Sequence, residues 1–238
     1  MGVDGIANMN ELIEHCIKNR KNPNGYEALR ILQNYGIPVA PFALVHSVEE
    51  AVIESRSLRF PLVMKIVADE VSHKSDFGGV ILNIEDEKGI RNAFEQISNN
   101  FMNEFPDAKH KGLLLMNQVK KGLECILGVT RDEQFGHCIM FGLGGTLVEL
   151  FKDVSFRILP LSEDEMIRMI RETKAFQLMN GYRNMPRIDT EPIIKSINCI
   201  NMLITDYPEI AEIDMNPIIL YEDSLVLVDG RMSIRPEF

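Results

Sequence analysis

The stretch that most strongly indicates the fold of this 238-residue chain is Leu62-Val63-Met64-Lys65-Ile66-Val67-Ala68, followed shortly by the loop Ser72-His73-Lys74-Ser75-Asp76-Phe77-Gly78-Gly79. The first part has the apolar, β-branched composition of a buried strand. Burying Lys65 is costly unless an anion meets its ammonium group, and the paired glycines let backbone N–H groups approach an anion closely. The stretch therefore predicts a strand and a loop that grip a polyphosphate. An edge-strand lysine that prevents aggregation is the alternative for Lys65 alone.

His73 adds a candidate nucleophile to the same loop. Neutral imidazole carries a phosphoryl group covalently near pH 7, and Asp76 could orient the ring. On spacing alone, a solvated surface histidine remains the simpler interpretation.

The composition excludes several classes of partner. A net charge of −10 and a pI of about 5.1 argue against nucleic acid and anionic membranes, which reward clustered Lys and Arg. The four cysteines are far apart and lie among apolar residues, which predicts reduced thiols and a cytoplasmic protein. Neither a signal peptide nor an apolar run long enough to span a bilayer is expected.

Helical patterns alternate with short β-rich runs, which predicts an α/β protein. The expected helices are 10–17, 26–35, 47–58, 86–97, one opened by the capping box 162–165, and 191–204; the expected strands are 39–45, 62–68, 80–84, 113–119, 123–129, 137–141, 210–220 and 224–232. The polar segment 99–111 contains Pro106 and predicts a lobe boundary. The expected organisation is an N-terminal helix in 1–20, a first lobe in 21–108 and a second in 109–238.

Two further groups of residues suggest a site. Strand alternation puts Glu124 on the face opposite Cys125, where its carboxylate could bridge the hydroxyls of a ribose or could simply face solvent. Gly142-Leu143-Gly144-Gly145 precedes Asp153 and Arg157, which indicates either a phosphate platform or a cluster of salt bridges.

The late segment Glu212-Ile213-Asp214-Met215-Asn216-Pro217 alternates oxygen-bearing and apolar residues. Asp214 and Asn216 therefore project to one face of a strand, and Asp229 could join them from a following strand. Carboxylates and an amide oxygen suit Mg²⁺ that bridges phosphates. The alternative is an acid-rich edge strand.

Read in order, these motifs resemble an ATP-grasp unit, and more closely the β subunit of ADP-forming acyl-CoA synthetases such as ADP-forming acetate–CoA ligase. The resemblance extends from residue 35 to residue 229 and is carried by four blocks: His73-Lys74-Ser75-Asp76-Phe77-Gly78-Gly79-Val80, Phe141-Gly142-Leu143-Gly144-Gly145 with Glu149, Lys152-Asp153-Val154-Ser155-Phe156-Arg157, and Asp214-Met215-Asn216-Pro217. It implies an ATP-grasp fold of two α/β lobes with the nucleotide between them.

The resemblance also implies roles for individual residues. Phosphates of ATP or ADP would be held by Lys65, Ser75, Gly78 and Gly79; the backbone of Asn117, Gln118 and Val119 would meet the adenine, and Glu124 the ribose. Asn216 and Asp229, with Asp214 close by, would ligate Mg²⁺. His73 would be a phosphate-relay histidine, with Asp76 and Arg157 as the other catalytic candidates.

In that family, a separate CoA-binding α subunit makes an acyl phosphate and passes its phosphoryl group to its own histidine. His73 would take it next and deliver it to ADP, within an α₂β₂ assembly. Two alternatives remain: a catalytically silent ATP-grasp nucleotide sensor, and a β subunit of the succinyl-CoA synthetase type. His73 argues against the second, because that family has no relay histidine in this loop.

Overall fold

The computed structural model describes residues 8–68, 74–145, 153–183 and 186–234. The chain divides into a small unit, Ala40–Lys120, and a large unit, which combines Met1–Val39 with Lys121–Phe238.

The elements described here are numbered along the chain. The helices are α1 Met9–Lys18, α2 Gly25–Asn34, α3 Val48–Glu54, α4 Glu87–Glu104, α5 Glu163–Arg171, α6 Lys174–Met179 and α7 Glu191–Asp206. The strands are β1 Phe42–Val45, β2 Leu62–Val67, β3 Val80–Ile84, β4 Gly112–Asn117, β5 Leu123–Asp132, β6 Gly136–Leu143, β7 Val154–Ile158, β8 Ile210–Leu220, β9 Leu225–Leu227 and β10 Gly230–Ile234. Among the described residues, no helix is long and apolar enough to cross a membrane.

The small unit is a four-stranded antiparallel sheet in the order β1-β4-β2-β3. Met64 and Ile66 of β2 are fully buried in a core that α3 and α4 cover. Because side chains alternate along a strand, Val63 and Lys65 project to the opposite face. The strand predicted around Lys65 is therefore present, with Leu62, Met64 and Ile66 on the helix-covered side.

The large unit contains a six-stranded antiparallel sheet in the order β10-β8-β5-β6-β7, and β9 also pairs with β8. One face, the helix face, carries Cys125, Leu127 and Met215, which are fully buried. The opposite face carries Glu124, and we call it the Glu124 face. The predicted alternation around Glu124 is observed, since Cys125 and Leu127 turn to the helix face.

The predicted boundary in 99–111 differs from the observed division of the chain. Helix α4 continues to Glu104 because Phe101, only 1% exposed, packs into the core of the small unit. Strand β4 then takes a position between β1 and β2 in the small sheet, so the chain passes to the large unit only at Lys121. Residues 21–39 belong to the large unit, where α2 packs against β10.

Several other elements also differ from the sequence prediction. Helix α3 ends at Glu54, and the predicted strand 224–232 is divided into β9 and β10. Strand β7 is not anticipated because its alternation is inverted: Phe156 and Ile158 are about half exposed while Ser155 is buried. Helix α6 is too short for a periodic signal.

Candidate functional site

Lys65 lies in the middle of β2 and is only 8% exposed. Its cross-strand neighbours are Leu114 on β4 and Val80 on β3. A buried lysine is stable only where polar or anionic groups meet its ammonium group, and the phosphate of a ligand is one such group. The edge-strand alternative is wrong, because β2 is an inner strand of the small sheet.

The predicted relay residue, His73, lies outside the described residues, as do Asp69–Ser72 just before it. The following residues form a tight turn, in which the N–H of Gly78 donates to the Ser75 carbonyl at 3.2 Å and the N–H of Gly79 donates to the Lys74 carbonyl at 2.7 Å. Asp76 is exposed on this turn.

The two glycines of the turn serve close packing. Gly78 has φ of +74°, and a Cβ there would lie 2.6 Å from the Asn100 side chain, whose Nδ2 donates to the Gly78 carbonyl. Phe77 anchors the turn by packing edge-on against Phe105, with ring centroids 5.4 Å apart. In this structure the N–H groups of Gly78 and Gly79 are directed into the turn, so their contact with phosphate remains a prediction.

The end of β4 is held by main-chain bonds to two loops of the small unit. The Asn117 N–H donates to the Pro41 carbonyl at 2.9 Å, and the Gln118 N–H donates to the Pro61 carbonyl at 3.0 Å. These N–H groups are therefore engaged within the protein. The contact of the Asn117–Val119 backbone with adenine remains a prediction.

In the large unit, Glu124, Gly145 and Asn216 come together on the Glu124 face. The Gly145 N–H donates to Asn216 Oδ1 at 2.9 Å, and the Gly144 N–H donates to the Glu124 carbonyl at 2.9 Å. A Cβ at Gly145, where φ is +65°, would collide with Glu124 Oε2. The positive φ favours glycine here, and any other residue would have to displace the carboxylate, which explains part of the Gly142–Gly145 pattern.

Asp214 lies on the same face, beside Gly128 on β5 and Arg231 on β10. Its Oδ1 atom is buried without a hydrogen-bond partner among the described residues. Burial raises the pKa of Asp214 above its usual range, Arg231 opposes this shift, and Glu212 and Asp229 add to it. A cation would stabilise this carboxylate, because it would satisfy the bare oxygen and offset the neighbouring negative charges.

The predicted metal-binding residues occupy neighbouring positions. Gly230 pairs with Met215, so Asp229 and Asn216 are the next residues along the two antiparallel strands. Across the described ranges, no three His, Cys, Asp or Glu side chains form a group that could hold a metal by themselves. Two carboxylates and one amide oxygen nevertheless suit Mg²⁺, which completes its shell with water and phosphate oxygens. The residues therefore fit this ion.

Arg157 lies apart from these groups. It pairs with Ile139 and projects to the helix face, opposite to Glu124. Its guanidinium donates to Glu165 Oε2 at 3.3 Å, to Ser155 Oγ at 3.2 Å and to Glu172 Oε1. Hydrogen bonds from Arg157 and Ser155 lower the pKa of Glu172. Of the two sequence interpretations, the cluster of salt bridges is the one observed for Arg157.

A family model described as the ATP-grasp domain matches residues 16–234. The chain belongs to the ATP-grasp family. A similar relative, the acetate–CoA ligase [ADP-forming] I subunit beta of Pyrococcus furiosus, is 42% identical over 97% of this chain and 99% of its own length. This identity places the chain with that group of ATP-grasp β subunits.

Other comparisons agree. The acetate–CoA ligase [ADP-forming] I of Archaeoglobus fulgidus is 40% identical over 95% of this chain, which spans 33% of that longer protein. The acetyl-coenzyme A synthetase 1 of Ca. Korarchaeum cryptofilum, solved with coenzyme A and Ca-AMPCP, matches with a TM-score of 0.91 and 41% identity, over 96% of this chain and 100% of that one. A Mg-AMPPCP complex of the same protein, with its phosphohistidine segment pointing towards the nucleotide site, has a TM-score of 0.84, 39% identity and the same coverage. The predicted ATP-grasp fold is confirmed.

One residue of this ATP-grasp chain has a structural role that sequence reasoning missed. Asp153 accepts hydrogen bonds from the N–H groups of Lys174 and Ala175, at 2.9 and 3.1 Å, and so caps the start of α6. Its own carbonyl accepts from Leu143. No local spacing reveals this cap, because 21 residues separate Asp153 from Lys174.

The Arg157 cluster leads to a stability prediction. Arg157→Ala should lower Tm by about 2–6 °C at pH 7, because it removes charge-assisted bonds that join β7 to α5 and its C-terminal end. The lowered pKa of Glu172 means that this contribution is present above pH 4.5 and is lost as the pH falls through the folded-state value. Thermal unfolding from pH 7 down to about pH 2 should therefore show the Tm difference from wild type shrinking in acid.

The exposed residue Arg168 provides a matched control, since its side chain is 68% exposed and, among the described residues, its ion pair is with Glu165. Arg168→Ala should change Tm by less than about 1 °C. An unchanged Tm in Arg157→Ala, combined with lost phosphoryl transfer, would return Arg157 to the catalytic residues.

Proposed function

We propose that this chain is the nucleotide-binding β subunit of an ADP-forming acyl-CoA synthetase, which converts acetyl-CoA, ADP and phosphate to acetate, ATP and CoA. The observation that carries the proposal is the cluster of Glu124, Gly145 and Asn216, with Asp229 beside Asn216. It brings a carboxylate suited to ribose next to oxygen ligands suited to Mg²⁺, in a chain that matches such a β subunit over nearly its whole length.

We assign the nucleotide contacts as follows. The ammonium group of Lys65 and the turn Ser75–Gly79 would hold the phosphates of ADP, Glu124 would accept hydrogen bonds from the ribose hydroxyls, and the Val119 N–H would donate to the adenine. The burial of Lys65 on an inner strand supports its role, because a buried ammonium group is stable only where anionic or polar groups meet it.

Asn216 and Asp229 would hold Mg²⁺, with the Asp214 carboxylate close to it. The ion supplies positive charge that offsets the charge of the nucleotide phosphates. The bare Oδ1 of Asp214 supports this assignment, since it is a buried oxygen that no described group satisfies.

His73 would carry the phosphoryl group between two sites. One imidazole nitrogen of His73 would attack the phosphorus held by a histidine of the partner, so that one P–N bond forms while the other breaks. A terminal oxygen of ADP would then attack phosphohistidine 73, which releases neutral imidazole and forms ATP. Asp76 would orient the ring, and Lys65 would stabilise the negative charge around the transferring group.

The proposed partner is a CoA-binding α subunit, in an α₂β₂ assembly. The name "subunit beta" of the Pyrococcus relative and the longer single chain of the Archaeoglobus relative support a second component. We also propose a cytoplasmic location. Cys16 and Cys125 are buried free thiols, and burial raises the pKa of Cys16 to about 11, so both suit a reducing compartment.

Reconstitution tests the function directly. The chain, mixed with its co-purified partner, acetyl-CoA, ADP, phosphate and Mg²⁺, should form ATP, and omission of either component should stop the reaction. Tight nucleotide binding without turnover in the complete mixture would instead favour the silent sensor.

A further inference from the structure

Two hydrogen bonds link the side chain of Gln118 to Asn83 on β3. The Asn83 N–H donates to Gln118 Oε1 at 2.7 Å, and Gln118 Nε2 donates to Asn83 Oδ1 at 2.7 Å. Both distances are shorter than the usual 2.9–3.0 Å or so of an N–H···O bond. The side-chain amide of Gln118 is therefore held at both of its polar atoms by one residue.

The backbone conformation of Asn83 allows both hydrogen bonds to form. The ladder between β2 and β3 shifts register between Leu62 and Met64, because β3 contains one extra residue there. Asn83 has φ of +57°, a left-handed conformation that Asn tolerates better than most residues. Such a bulge redirects a side chain and an N–H group out of the regular ladder. Here both are directed at Gln118.

The pair reaches across β2, from the end of β4 to β3. Strand β2 lies between β4 and β3, and Leu62 at its start pairs with Asn117 on one side and Ile84 on the other. Gln118 follows Asn117, and Asn83 lies in the bulge between Ile81 and Ile84, so the pair reaches across the start of β2. It also ties the end of β4 to the strand that begins at Val80, directly after the 75–79 turn.

We infer that Asn83 is a positioning residue for nucleotide binding, which acts by holding Gln118 and thereby the main chain that leads to Val119. The inference rests on the proposed function, in which this segment contacts the adenine. Asn83 is exposed and would not touch the nucleotide itself. It joins the base-contacting segment to the hairpin of the phosphate loop, so that the two parts of the site keep one spacing.

Three variants of the assembled enzyme separate the hydrogen bond from the backbone conformation. Asn83→Gly keeps the backbone N–H donor and still tolerates a positive φ, but it removes the side-chain acceptor for Gln118 Nε2. Asn83→Asp keeps that acceptor. Gln118→Ala removes the partner. Arg20→Gly is the matched control, because Arg20 is an exposed positive-φ residue of the large unit, far along the chain from these segments.

Asn83→Gly and Gln118→Ala should each raise the KM and Kd for ADP by about threefold to tenfold, with kcat changed by less than about twofold, because a base contact is made equally in the ground and transition states. The double variant should be no worse than either single variant, since both remove one interaction. Asn83→Asp and Arg20→Gly should bind ADP within about twofold of wild type.

Calorimetric ADP titration and steady-state kinetics measure these values, and thermal unfolding checks that each variant is folded. A folded Asn83→Gly variant with wild-type ADP affinity would overturn the inference, and so would equal losses in Asn83→Gly and Asn83→Asp. Failure of the wild-type enzyme to bind ADP would overturn the proposed function, and the inference with it. Wild-type binding with unaffected variants would reject the inference alone.

Discussion

His73→Ala is expected to reduce ATP formation by at least about 10³-fold, because it removes the nucleophile that would carry the phosphoryl group. The affinity for ADP should remain near that of wild type, since the imidazole makes no essential contact with the nucleotide in the proposed mechanism. Coupled assays of ATP formation and ADP titration by calorimetry measure the two quantities separately. This split between turnover and binding distinguishes a relay from a residue that merely shapes the loop.

A labelling experiment identifies the covalent step itself. Incubation with ATP labelled in its γ-phosphate should transfer the label to the wild-type chain as an acid-labile, alkali-stable adduct, and His73→Ala should remain unlabelled. His15→Ala is the matched control, because His15 lies on the exposed side of α1 and should be labelled like wild type. Turnover retained in His73→Ala would remove the relay from the mechanism.

Asp229→Ala and Asn216→Ala are each expected to weaken Mg²⁺-dependent nucleotide binding by about 100-fold, because each removes one of the few protein oxygens assigned to the ion. Asn216→Ala should have a further effect, since it deprives the Gly145 N–H of its acceptor and loosens the loop beside Glu124. Titration of Mg²⁺ at a fixed ADP concentration, followed calorimetrically, measures the shift without depending on turnover.

The control for the metal prediction is Asp223→Ala. Asp223 is an exposed carboxylate in the turn between β8 and β9, so its removal should leave the Mg²⁺ titration within about twofold of wild type. An unaltered titration in both Asp229→Ala and Asn216→Ala would show that the ion is held elsewhere.

Much of the fold could be predicted from local patterns. The side chains of Ser47 and Ser162 accept hydrogen bonds from the backbone N–H groups of Glu50 and Glu165, at the helix starts that their spacing predicts. The placement of Glu124 on the face opposite Cys125 follows from the two-residue period of a strand. Prediction failed at β7, where exposed apolar residues alternate with inward-facing polar residues. It also failed at the lobe boundary, because α4 extends past Phe101, which is buried in the core.

The candidate site was predictable only in part, for a related reason. A charged or amide side chain is unusual within an apolar run. This local contrast identified four candidate binding residues, Lys65, Glu124, Asp214 and Asn216. The sequence around Arg157 shows neither its ion pair with Glu172 nor the side of the sheet to which it turns, and its catalytic role stays a prediction. The bond between Asn83 and Gln118 depends on a bulge 35 residues before its partner, and no local pattern indicates it.

The order of amino acids thus carried the family, the type of each main element and the chemistry available to the site, since these depend on residue type and on short periodic spacing. Which groups meet was set by folding: Glu124 with Gly145, Asn216 beside Asp229, and Arg157 with the glutamates of the helix face. The physical reason is that strand pairing brings together residues far apart in the chain, and a shift of register by one residue would turn each of them to the other side of the sheet.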